Sequence, residues 1–221
     1  AARLDEVRFV NEQTAVTVTA DANTDAAAKV SGEVATAVDP GTTVTFEAAG
    51  TNGMFFAGWK ASADADEVLN TNTSFTQVVL DEPVSYYAYS TKVLEGTGTE
   101  EDPFQIASME DLKKLDSIVS SGVTFEGQYL KVMNDITNDA DNTTGFNTIG
   151  SAATTGTKFS GTFDGNGKTI SGIVSDTGLF YNVSGGTVKN LSVNATVNAN
   201  SQYAGIIASS FSGTLENVST S

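Results

Sequence analysis

Apolar and polar residues alternate at period two along the first 92 residues, the signature of strands with one buried face. Val16 to Thr19 reads as one strand, and Val44 to Ala48 as another, launched by the turn Asp39-Pro40-Gly41. Phe55 to Trp59, Phe75 to Leu80 and Val84 to Ser90 follow, with a polar, acidic surface loop from Ala61 to Thr73. In the last strand Val84, Tyr86 and Ala88 fall on one side, and Tyr87 and Tyr89 on the other. The pattern changes at residues 93–107, a connector rich in Gly, Thr and acidic residues that closes on Asp102-Pro103 and the short strand Phe104 to Ile106. One convincing helix comes next. Ser108 stands at its N-cap, Asp111 at the capping-box position, and Gly122 at its stop. Leu112, Leu115, Ile118 and Val119 share a face, so the helix covers a single apolar surface.

From about residue 127 onward the chain is short β segments punctuated by Gly, Asn and Asp. Gly178-Leu179-Phe180 aligns with Gly205-Ile206-Ile207, and Gly186 to Ser192 with Gly213 to Ser219, both 27 positions apart. A fixed period in that range, with one or two apolar residues per strand, predicts stacked coils that share one core. Asn190 and Asn217 recur at that period and suit coil corners, where side-chain amides pair between coils. The final segment, Leu215 to Ser221, reads as the start of a further coil, so the pattern anticipates a solenoid that continues.

Composition narrows the chemistry. The 221 residues include no His and no Cys, which excludes a Ser-His-Asp triad, His-ligated or thiolate-ligated zinc, a thiol nucleophile and disulfides. With 11 basic and 27 acidic side chains the net charge is −16, divided equally between residues 1–92 and 93–221. No basic block exists to neutralise phosphates, so nucleic acid and anionic membrane surfaces are not expected partners. No apolar run approaches the ~20 residues that span a bilayer, and direct membrane insertion is not expected of this chain.

Two resemblances give these patterns names. Gly41 to Ala48, Phe56-Ala57-Gly58-Trp59, Phe75 to Val79 and Val84 to Ala88 together resemble the InlB B-repeat and its divergent relatives on bacterial cell surfaces, over roughly residues 30–91. Gly96 to Ile106, the capped helix, Tyr129 to Ile136, Ile149-Gly150, Phe159 to Ile170, Gly178-Leu179-Phe180 and Gly186 to Leu191 are similar to the GLUG-motif parallel β-helix of bacterial surface proteins, over nearly all of residues 96–221. The resemblances imply a mostly β chain: a small β module at 1–92, then a helix-capped, right-handed parallel β-helix at 93–221. They imply an extracellular or cell-surface adhesion protein, without catalytic residues, whose partner is a host or neighbouring-cell protein or glycan.

Each candidate site has a plainer reading beside it. The GLUG-like region also resembles the non-catalytic upstream region of IgA1-cleaving metalloproteases, but metalloprotease chemistry needs two His on a helix with a Glu between them, and this chain has no His. A carboxylate pair of the kind used by polysaccharide-active β-helix enzymes would draw on Asp135, Asp139, Asp141 and Asp164, with Lys158 and Lys168 nearby. Asp164, however, lies in Phe163-Asp164-Gly165-Asn166-Gly167, where Asx and Gly residues make a turn. Asp139, Asp141 and Asn142 offer hard oxygen ligands for calcium, without the spacing of an EF-hand. Asp64, Asp66 and Glu67 form a weaker acidic group, and Trp59 is expected in the core. Tyr87 and Tyr89, facing outward together, are the candidate ligand platform.

Overall fold

The computed structural model describes residues 12–138, 146, 148–150, 157–198 and 204–221. The chain divides into two compact units, Ala1–Lys92 and Val93–Ser221.

The first unit packs two four-stranded sheets around an aromatic core. One sheet has the order β4-β1-β8-β6 and the other β3-β2-β5-β7. In chain order the strands are β1 (Thr14–Ala20), β2 (Thr24–Val30), β3 (Glu33–Val34), β4 (Ala37–Val38), β5 (Thr42–Gly50), β6 (Phe55–Lys60), β7 (Ser74–Val79) and β8 (Val84–Thr91). Period-two alternation locates β1, β5, β6, β7 and β8, but it misses β2. Its sequence, Thr-Asp-Ala-Ala-Ala-Lys-Val, carries small residues where β-formers usually signal a strand. Small residues are tolerated there because β2 pairs along β5, and Ala28 is buried opposite Phe46.

Val16, Val44, Phe46, Trp59, Val79 and Ala88 come from both sheets and form the core. Phe46 stacks on Phe75 at 5.0 Å, and Tyr86 meets Phe46 edge-on at 4.9 Å. Trp59 is wholly buried and donates its indole N–H to the Asn72 carbonyl at 2.9 Å, so its one polar atom is satisfied. Asp21 ties the end of β1 to the end of β8. Its carboxylate accepts from the Ser90 and Asn23 backbone N–H groups, each at 2.8 Å, and from the Thr24 hydroxyl at 2.9 Å.

The second unit is a stack of parallel coils, in the order β14-β13-β12-β10-β9, with β11 also paired to β12. Its elements are β9 (Phe104–Ile106), α1 (Met109–Ser120), β10 (Tyr129–Val132), β11 (Ile136–Thr137), β12 (Thr162–Ser175), β13 (Phe180–Val197) and β14 (Ala208–Thr220). The long strands are bent ladders. Between β12 and β13 the register shifts at Asp164/Lys168 and again at Ser171/Ile173, where Gly167 and Gly172 take positive φ. Inward rows run through the stack, as Phe104, Leu130, Phe163 and Val188 do in successive coils. All four are fully buried. At the outer coil the row ends on Leu215, 49% exposed.

Helix α1 buries Leu112, Leu115, Ile118 and Val119. Ser108 accepts from the Asp111 N–H at 3.3 Å, while the Asp111 carboxylate reaches back to the Ala107 N–H at 3.1 Å. The return bond thus goes to the residue before the cap and not to the N–H of the cap itself. At the other end Gly122, at φ 104°, closes a Schellman motif: Val123 N–H meets Ile118 O, and Gly122 N–H meets Val119 O.

The expected period needs one adjustment. Thr187 faces Thr214 and Leu191 faces Val218 at the 27-residue offset, but Phe180 faces Ala208 and not Ile207. Gly185, at φ 78°, is the extra residue at that corner.

Candidate functional site

The coil corners take up the polar residues with the most chemical promise. The Asn217 amide donates to the Asn190 carbonyl oxygen at 3.1 Å, and the Asn190 amide donates to Asp164 Oδ1 at 3.1 Å. Asp164 Oδ1 also accepts from the Asn166 backbone N–H at 2.8 Å, making the anticipated Asx turn. Asn166, Asn190 and Asn217 hold φ values of 51–54°, the left-handed region that Asn tolerates better than most residues. Asp135 works across coils as well, accepting the Thr169 N–H at 2.8 Å. These carboxylates hold corners.

Tyr87 and Tyr89 lie on β8 opposite Lys60 and Gly58, half-buried on the side away from Ala88. Lys60 places its ammonium 4.7 Å from the centre of the Tyr89 ring. A Cβ at Gly58 would lie 2.6 Å from Val68 Cγ1 and 3.4 Å from Tyr89 Cε1, so Tyr89 and Val68 cover that glycine. Tyr89 therefore has a packing role, and Tyr87 is the freer half of the pair. Asp139, Asp141 and Asn142 lie outside the described residues. Asp64, Asp66 and Glu67 are in the loop before β7, and no group of three or more acidic residues among the described residues is placed to hold a metal ion.

The second unit carries a groove that the sequence did not announce. Its cavity is about 390 Å³. The floor is an outward row crossing successive coils, Gln105 beside Lys131, Lys131 beside Asp164, and Asp164 beside Lys189. Glu216 extends the row on β14. Lys189 approaches Asp164 at 3.8 Å, a favourable cross-strand pairing of opposite charge. Tyr129 and Met133 border the floor, and Glu100, Glu101 and Asp102 form one wall.

That wall is the segment read from sequence as a connector. It is folded: Thr97 and Gly98 both donate N–H to the Asp102 carbonyl at 3.0 Å, and Gln105 donates to Glu95 O at 2.8 Å. Gly98 is obligatory, because a Cβ there would sit 2.4 Å from the Phe104 ring. The row was partly legible. Lys189 and Glu216 stand 27 apart, but Lys131 and Asp164 stand 33 apart, outside the repeat.

No family model matches the chain. Among curated proteins it is similar to halomucin of Haloquadratum walsbyi (strain DSM 16790 / HBSQ001), 30% identical over 202 residues. The match takes in 81% of this chain and 2% of that protein, so the chain spans a small fraction of the relative's length. No solved structure matches it. No helix among the described residues is long and apolar enough to cross a membrane.

Proposed function

We propose that this chain is a non-catalytic, ligand-presenting region of an extracellular or cell-surface adhesion protein. The observation that carries the reading is the Asp164–Asn190–Asn217 ladder. The polar groups best suited to chemistry hold neighbouring coils together, which makes a stiff repetitive scaffold. The likeness to halomucin supports a surface role. The test is a binding screen of the purified chain against immobilised glycans and extracellular-matrix proteins, repeated at high salt and without calcium. Binding that survives both supports a receptor-binding region, and loss without calcium assigns a role to Asp139 and Asp141. A folded protein that binds nothing assigns a spacer role.

One observation favours a second reading, a carbohydrate-active β-helix or its accessory region. The groove brings Glu100, Glu101, Asp102 and Asp164 together with Lys131 and Lys189. Turnover is tested by incubating the chain with polysaccharides and measuring new reducing ends or unsaturated products. Product formation that Asp164→Asn abolishes, with folding intact, would replace the non-catalytic reading.

A further inference from the structure

We propose that the groove over Gln105, Lys131, Asp164 and Lys189 is a binding site for an uncharged oligosaccharide. The proposal rests on the surface-binding reading above and gives that reading a location and a ligand class.

The groove holds unused hydrogen-bonding capacity. Among the described residues, the Gln105 side-chain amide, the Lys131 ammonium and the Tyr129 hydroxyl make no hydrogen bond or ion pair with the protein. Gln105 and Tyr129 offer both donors and acceptors, and Lys131 offers donors alone. A ligand dense in hydroxyl groups satisfies all three, since each hydroxyl both donates and accepts.

Charge narrows the class further. The lining carries four carboxylates and two ammonium groups, so the groove is net negative and repels sulfated or phosphorylated chains. The two lysines on the floor work against a simple polycation. The floor is also a sheet face and not an edge. An extended peptide would find no backbone ladder there, which removes strand addition as a mode of capture.

Shape points the same way. Successive floor groups come from neighbouring strands, at a spacing of about 4.8 Å, so similar polar positions repeat along the groove. A chain of linked sugars presents repeated hydroxyls and weakly apolar ring faces. The half-buried Tyr129 ring and the exposed Met133 side chain provide apolar surface for those faces. The wall does not have to form on binding, because glycine turns and backbone hydrogen bonds already hold Glu100 to Asp102.

The experiment titrates the full chain with neutral hexose and N-acetylhexosamine tetrasaccharides, with a sulfated tetrasaccharide as the anionic control, by calorimetry. The expected result is binding of a neutral tetrasaccharide that persists at high salt and weakens about tenfold in Tyr129→Ala and in Lys131→Gln. Val78→Ala, at an exposed position on β7 in the other unit, leaves it unchanged. Circular dichroism checks each variant, and Lys131→Gln alters only a side-chain head, so it remains informative where Tyr129→Ala fails to fold. Neutral-sugar binding that Lys131→Gln and Tyr129→Ala leave intact would overturn the groove while sparing the surface-binding reading. Preference for the sulfated chain would overturn the uncharged class. Failure of every tetrasaccharide to bind overturns the proposal, and matrix-protein binding then decides the broader reading separately.

Discussion

Asn190 shows how much one residue carries. It sits at φ 52°, donates to Asp164 and accepts from Asn217, so it serves the backbone of its own corner and both neighbouring coils. Asn190→Ala loses both bonds and leaves in the left-handed region a residue that tolerates it less well than Asn, a cost of about 2–3 kcal/mol. Asn190→Gly keeps the backbone relaxed and costs about 1 kcal/mol less. Urea denaturation of the two variants checks the order. Asp21 makes a pH prediction. Burial raises its pKa, but the bonds from Ser90, Asn23 and Thr24 outweigh this, leaving its carboxyl below the ordinary carboxylate value. A depressed folded-state pKa stabilises above the unfolded value, near 4, and that stabilisation is lost as the pH falls through the folded value. Asp21→Asn is therefore expected to lower stability at pH 7 by about 1 kcal/mol and to have a smaller effect at pH 2, measured by thermal melts at both.

At the scale of elements, close coil stacking explains glycines that have no turn to make. Gly161, Gly186 and Gly213 each precede a Thr in the paired row Thr162, Thr187 and Thr214. A Cβ on Gly186 would lie 2.8 Å from the Gly161 carbonyl oxygen, and one on Gly213 would lie 2.2 Å from that of Gly186. Neighbouring Gly185 has positive φ but open space around it. Gly186→Ala is thus expected to cost about 2–3 kcal/mol through backbone overlap, against about 1 kcal/mol for Gly185→Ala through φ alone. Chemical denaturation separates them, and equal costs would count against the close stacking. The third member of this repeat, Gly161-Thr162-Phe163, was visible in the sequence but not in phase. It precedes its successor by 25 residues, not 27.

At the scale of the molecule the dominant quantity is the charge of −16. Ion pairs among the described residues, such as Lys29 with Glu47 at 2.7 Å, leave most carboxylates unpaired. Self-repulsion opposes the compact state and is screened within about 10 Å at 0.1 M salt. Raising sodium chloride from 0.01 M to 1 M is expected to raise the melting temperature by roughly 2–4 °C, the equivalent of about 1 kcal/mol for a chain of this size. A flat or falling melting temperature would show that the carboxylates are too widely spread to matter.

The sequence by itself determined the elements whose physics is local. Alternation marked β1, β5, β6, β7 and β8, and the Ser108 and Gly122 signals bounded the helix. The recurrence of Asn190 and Asn217 announced a corner ladder, because a fixed repeat brings like residues together. Tertiary structure alone decided the rest. The alanine-rich strand β2 is a strand because β5 pairs with it, and no local signal records a distant partner. Tyr89 is partly withdrawn from the surface by Gly58, Val68 and Lys60, which come from elsewhere in the chain. The groove is the clearest case. Gln105, Lys131, Asp164 and Lys189 are separated by unequal intervals, and the hydrogen-bond register of stacked coils sets them in one row.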